Sequence, residues 1–148
     1  MTLPQLLKDS VGQEVTCAKT VSESDVLLFA GITGDFSPNH VNEEAMRNTA
    51  YGGRIAHGAL LVGYMSRASS MIAEQCTALM QSHFPVSLGY DRVRFLKGVR
   101  IGDTLRIEYR ITEIEETKAR TLATVTMTNQ RDEIVAIAVH LMSWLPRT

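Results

Sequence analysis

The sequence of 148 residues is 45% hydrophobic and 21% charged with a formal net charge of −1, the size and balance of one globular domain with room for a core. Near-neutral charge excludes a general electrostatic attraction to nucleic acid or to a membrane surface. No run reaches the roughly 20 apolar residues that cross a bilayer, and Met1 to Ser10 lacks an apolar stretch of signal-peptide length, so the cytoplasm is the expected compartment. Two cysteines, Cys17 and Cys76, lie far apart without a metal-ligand pattern, and reduced structural thiols are expected.

In chain order, Glu14 to Thr20 reads as a short strand. Ser22 followed by Asp25 forms a capping-box pattern ahead of a short helix through Val26, Leu27, Phe29 and Ala30, with Gly34 as its stop. Pro38 then breaks regular structure, and Asn42 is placed to cap another short helix through Glu43, Glu44 and Met46. Gly52-Gly53 marks a turn. From His57 the pattern becomes helical: Leu60, Leu61, Tyr64, Met65, Ala68, Met71 and Ile72 make one broad apolar face, and Gly58, Val62 and Ser66 a second stripe stepping by four. Gly63 in this helix suits a place where another backbone approaches closely.

The second half reads as strands. One covers about Val86 to Phe95. Leu105, Ile107, Tyr109 and Ile111 alternate with Arg106, Glu108 and Arg110, and Ala123, Val125 and Met127 alternate with Thr124, Thr126 and Thr128. Ile134 to Trp144 is apolar on both faces, which predicts a central strand. The expected layout is α+β, an antiparallel sheet wrapped around a long central helix. One such sheet leaves an edge strand and one side of the helix uncovered, and a second copy would supply the cover.

The chemistry-bearing residues concentrate before and at the start of the long helix. Asp35 and His40 stand five positions apart on a loop, and a carboxylate and an imidazole can share one water and divide proton removal from proton delivery. Gly58 opens the helix, where a bare N–H aided by the helix dipole can hold an oxyanion. Each has a plainer reading: Asp35 as a turn cap, His40 as a structural hydrogen-bonding histidine, Gly58 as a packing glycine and Ser66 as an ordinary helix-face serine. His57 reads as a residue that shapes the turn or caps the helix. Asp35, His40 and His57 lack metal-ligand spacing, so no metal is expected. The sequence has no nucleophile elbow, dinucleotide loop or phosphate loop. The cluster Arg92, Arg94, Lys97 and Arg100 is open to two readings, phosphate contacts or a solvated strand edge.

The run Ala30-Gly31-Ile32-Thr33-Gly34-Asp35-Phe36-Ser37-Pro38-Asn39-His40-Val41-Asn42 resembles the signature of MaoC-like (R)-specific enoyl-CoA hydratases. Ile55 to Leu61 is similar to the second block of that family, and Val93 to Thr104 to a later strand-and-turn block shared more widely among hotdog-fold proteins. The resemblance implies a single hotdog domain over residues 1–148, with Asp35 and His40 as the acid/base pair and Gly58 as the oxyanion donor. It implies Pro38, Asn39, His57, Val62 and Ser66 as substrate-contacting positions, Ser66 facing the acyl chain. The implied reaction is reversible hydration of a trans-2-enoyl-CoA to an (R)-3-hydroxyacyl-CoA, with coenzyme A as substrate carrier and no metal or redox cofactor, in a homodimer whose site lies between subunits. Arg47 and Arg54 flank the motif as candidates for a substrate carboxylate or a CoA phosphate, against a solvent-facing role. Gly98 departs from the proline frequent in relatives, a change in turn stiffness. The extended Glu74 to Pro85 stretch leaves the shape of the acyl pocket open. The alternatives are a hotdog thioesterase and a non-catalytic acyl-thioester-binding subunit.

Overall fold

The computed structural model describes residues Met1–Thr148. One five-stranded antiparallel sheet has the order β1-β3-β4-β5-β2, formed by β1 (Glu14–Thr20), β2 (His83–Phe95), β3 (Thr104–Glu115), β4 (Arg120–Thr128) and β5 (Ile134–Pro146). β5 is interior, as its two apolar faces require, with Val125 opposite Ala138 on one side and Tyr90 opposite His140 on the other. β1 and β2 are the edges. The inward-facing Leu105, Ile107, Tyr109 and Ile111 are buried together with Ala123, Val125 and Met127, so the period-2 pattern places these two strands as expected.

Six helices accompany the sheet: α1 (Leu3–Ser10), α2 (Glu23–Thr33), α3 (Pro38–Val41), α4 (Glu43–Met46), α5 (Gly58–Gln75) and α6 (Thr77–Ser82). The longest, α5, buries Leu61, Met65, Ala68, Ser69, Ile72 and Ala73 and packs against β1 and β3. α2 begins with the expected capping box. Ser22 Oγ accepts from Asp25 N–H, and the Asp25 carboxylate accepts from Ser22 N–H. It ends at Gly34, whose φ of 79° is the left-handed conformation that favours glycine at a helix end. Asn42 Oδ1 caps α4 by accepting from Ala45 N–H.

Two stretches gain structure and one expectation changes. Leu3 to Ser10 forms α1, with Pro4 in its first turn and Leu6 and Leu7 buried. The stretch from Glu74 to Pro85 is taken up by regular elements: α5 runs to Gln75, α6 follows after Cys76, and β2 starts at His83. Gly63 has no close backbone neighbour, since a Cβ there would meet nothing within 4 Å.

Candidate active site

The site is assembled where the loop after α2 meets the start of α5. Gly34 turns the chain out of α2, and Asp35 closes a local turn: Ser37 Oγ and Ser37 N–H both donate to Asp35 Oδ1, at 2.7 and 3.2 Å. These bonds, the side-chain one foremost, hold the Asp35 carboxyl below the usual carboxylate range. The plainer reading of Asp35 as a turn cap is therefore correct for Oδ1, while Oδ2 stays free to face His40.

His40 sits on α3 and is buried. Its Nδ1 lies 2.8 Å from the Ile55 carbonyl oxygen, which can only accept, so Nδ1 carries the proton. The bare Nε2 then faces Asp35 Oδ2 at 3.9 Å and takes a hydrogen bond from Asn39 Nδ2 at 3.2 Å. Ile55 is itself fixed by its N–H bond to Asn39 O and by an antiparallel bridge to Arg100. The orientation of His40 is thus set by main chain at Nδ1 and by the Asn39 side-chain amide at Nε2.

His57 is the residue before α5, and its ring makes no capping bond to the helix. Its Nε2 lies 2.9 Å from Asp35 O, which fixes the Nε2–H tautomer. Its Nδ1 is buried without a partner. The ring stacks on His40 with centroids 3.7 Å apart and planes 26° apart. Ligand-capable atoms of Asp35, His40 and His57 lie within 4.8 Å of one another. With His57 Nε2–H donating to the Asp35 carbonyl, the nitrogen left bare on that ring is the buried Nδ1.

Gly58 heads α5, so its N–H has no intrahelical acceptor. A Cβ at this position would overlap the Phe95 ring, so the packing reading of Gly58 holds. Asn39, His40, Gly58, Leu61, Phe95 and Tyr51 are among the residues lining a cavity of about 350 Å³. Asp35, Pro38, His57, Val62 and Ser66 lie outside this lining. Val62 is half-buried and Ser66 exposed on the open side of α5.

Both flanking arginines are engaged by carboxylates. Arg54 is turned inward, donating to both carboxylate oxygens of Glu23 at 2.9 Å and to Glu43 at 3.2 Å, so it clamps α2 to α4 and has little left for a substrate. Arg47 pairs with Glu44 on the surface. In the basic cluster, Lys97 is held by Glu133 at 2.6 Å and Arg94 donates to Val93 O. Tyr51 and Phe95 are the aromatic lining residues that sequence reasoning missed. The available signal was the pair of small residues beneath them, Gly98 and Gly58. A Cβ on Gly98 would lie 2.6 Å from two atoms of the Tyr51 ring, so this glycine makes room for an aromatic side chain rather than merely loosening a turn.

An antiparallel sheet around one long helix is the hotdog fold. The family model described as "MaoC like domain" matches residues 6–133, and the chain belongs to that family. An (R)-specific enoyl-CoA hydratase from Rhodospirillum rubrum is 37% identical over 101 residues, 68% of this chain but just 65% of that relative. A 3-hydroxybutyryl-CoA dehydratase from Methylorubrum extorquens is 32% identical over 127 residues, covering 84% of this chain and 74% of the relative. The solved (R)-hydratase from A. caviae involved in PHA biosynthesis superposes with a TM-score of 0.77 at 25% identity, over 92% of this chain and 96% of that one.

Proposed function

We propose that this protein catalyses the reversible hydration of a trans-2-enoyl-CoA to an (R)-3-hydroxyacyl-CoA. The observation that carries the reading is the 3.9 Å approach of a free Asp35 Oδ2 to an unprotonated His40 Nε2, with Gly58 lining the same cavity as His40. A water that takes the place of the Asn39 amide at Nε2 finds an acceptor for each of its protons. Asp35, held anionic by Ser37, is the poorer carrier of a proton and orients the water. His40 Nε2 removes the proton as the water oxygen bonds to the β-carbon. The C=C electrons move onto the thioester oxygen, where the Gly58 N–H stabilises the enolate. The imidazolium then returns the proton to the α-carbon, so both additions occur on one face. The names of the relatives support this reading, and it calls for no metal or redox cofactor.

The whole of residues 1–148 is read as one working unit, cytoplasmic, and paired with a second copy. No helix is long and apolar enough to cross a membrane. The edge strand β2 exposes Phe84, Val86, Leu88 and Phe95, and α2 exposes Leu27, Leu28 and Ile32, apolar side chains that a second copy would cover. Pairing across β2 would also cover the open side of α5 that bears Val62 and Ser66. Sedimentation at low micromolar concentration should give a dimer, and a folded, active monomer would remove that part of the reading.

The activity is tested by mixing the protein with crotonyl-CoA. A hydratase consumes the enoyl-thioester absorbance without releasing thiol, a thioesterase releases thiol, and a binding module does neither. Either of the latter two results overturns the proposed reaction.

A further inference from the structure

We propose that Arg54 is a positioning residue for the reaction: its guanidinium and main chain fix the Ile55 carbonyl, and through it the ring of His40. The inference rests on the acid/base reading above. Segment 39–43 carries His40, and segment 54–55 carries its acceptor. Three contacts cross-link the two side by side. His40 Nδ1–H donates to Ile55 O at 2.8 Å, and Ile55 N–H donates to Asn39 O at 2.9 Å. Next to them, Glu43 Oε2 accepts from both the N–H and the Nε–H of Arg54, each at 3.2 Å. This third contact fastens the residue before Ile55 to the residue three places after His40. The Arg54 N–H, foremost, also holds the Glu43 carboxyl below its usual range.

The guanidinium has a second arm. Its Nη2 donates to both carboxylate oxygens of Glu23 at 2.9 Å. Glu23 opens α2, the helix that stops at Gly34 just before Asp35. One planar cation thus ties together the helix leading into the Asp35 turn, the short helix following His40 and the segment that His40 donates to. The Arg54 side chain is 14% exposed, against 56% for Glu23 and 50% for Glu43, so the cation is largely covered and its place is fixed by the two carboxylates. The chain has been given room for this contact: a Cβ on Gly53 would lie 2.7 Å from Glu43 Oε1. Neither Arg54 nor its two carboxylates lines the cavity of His40 and Gly58, so an effect on the reaction must pass through the chain to His40.

The test combines kinetics with nitrogen NMR of the histidine rings. Arg54→Lys keeps the charge but has no fork to reach both carboxylates. It should lower kcat for crotonyl-CoA by about 10- to 100-fold, the scale for a slightly misplaced reacting group, with KM within about twofold. With the histidines neutral, the wild-type His40 ring should show the Nδ1–H form, and the variant a mixture of both tautomers. Glu43→Gln, whose amide oxygen still accepts from Arg54, should lose less than Glu43→Ala. The double variant Arg54→Lys, Glu43→Ala should lose no more than the worse single one, because the two side chains act through one contact. If Arg54→Lys does not fold, Glu43→Ala and Gly53→Ala read the same quantities. A folded Arg54→Lys protein with normal kcat, or one in which the His40 tautomer is intact, overturns the positioning role. Mixed tautomers in the variants of a protein that hydrates no enoyl-CoA keep Arg54 as the residue that holds His40 and overturn the proposed reaction instead.

Discussion

Lowering the pH from 7 to 5 protonates the histidines of an unfolded chain, but His140 in the folded protein resists. It lies fully buried on β5, with Nδ1 2.6 Å from the Tyr109 hydroxyl, Nε2 2.8 Å from Ser87 Oγ and its ring stacked on Tyr90. Burial pushes its pKa from 6.5 down to about 4. The folded form thus holds the neutral imidazole while the unfolded form gains a proton below pH 6.5, so stability falls as the pH falls through that value. The loss grows at close to 1.4 kcal/mol per pH unit until the folded pKa is reached, which gives about 2 kcal/mol at pH 5 relative to pH 7. Glu133, drawn down from 4.5 to about 2 by Asn129, Lys97 and Arg131, loses its contribution only as the pH falls below 4.5, outside this window. Urea unfolding at pH 7 and pH 5, on wild type and on His140→Gln, isolates the effect: the glutamine keeps a polar end toward Ser87 but does not titrate. The wild type should lose about 2 kcal/mol more than the variant over this interval. Equal losses in the two proteins, with a His140 titration near 6.5 by NMR, would refute the argument.

Three further outcomes bear on the site. Asp35→Asn and His40→Gln should each lower turnover of crotonyl-CoA by roughly 10²–10⁴-fold without loss of fold, and near-normal activity in either folded variant removes that residue from the chemistry. His57→Gln keeps a donor for Asp35 O and should retain more activity than His57→Phe, which keeps only the stacking face; because Asp35 is exposed to water, the difference should be about two- to threefold, near the low end for a lost hydrogen bond. The reverse order in steady-state rates would show that the stack matters more than the donor. Gly58→Ala retains the N–H but drives a methyl into the half-exposed Phe95 ring, so unfolding free energy should change by only about 1 kcal/mol while KM rises, and Phe95→Leu in the same chain should restore it. A Gly58→Ala protein with unchanged KM would deny that contact any bearing on substrate binding.

Much of this architecture is legible in the residues because its signals are local. The Ser22–Asp25 capping box, the Gly34 stop and the alternation in β3 and β4 each depend on neighbours a few positions apart, and the structure follows them closely. α1 carried its own signals, an amphipathic pattern and Pro4 in the first turn, but eight residues are too few to stand as a helix alone, and it is held by burying Leu6 and Leu7. The grouping of Asp35, His40 and Gly58 was visible as motif. The tautomers of His40 and His57 were not, since the carbonyls that decide them belong to Ile55 and Asp35, 15 and 22 positions away. The Tyr51–Gly98 contact and the His140–Tyr109–Ser87 chain join segments brought together only by the sheet and its flanking loops. No spacing rule reaches such pairs.

The main-chain partners of this site have a genetic consequence. The group that orients His40 is the carbonyl of Ile55, the group that receives the His57 proton is the carbonyl of Asp35, and the candidate oxyanion donor is the amide of Gly58. Every amino acid carries a carbonyl, so no codon change at position 55 deletes the acceptor of His40. Missense change can disturb it only by shifting the strand-like segment that presents it, through the Arg54 contacts, the bridge to Arg100 or the Ile55 N–H bond to Asn39 O. A proline at 55 would remove that N–H, whereas valine or leucine would leave both backbone groups in place. Sensitivity to mutation around this histidine should therefore map onto the geometry of the chain path, with side-chain identity at its nearest polar neighbour counting for little.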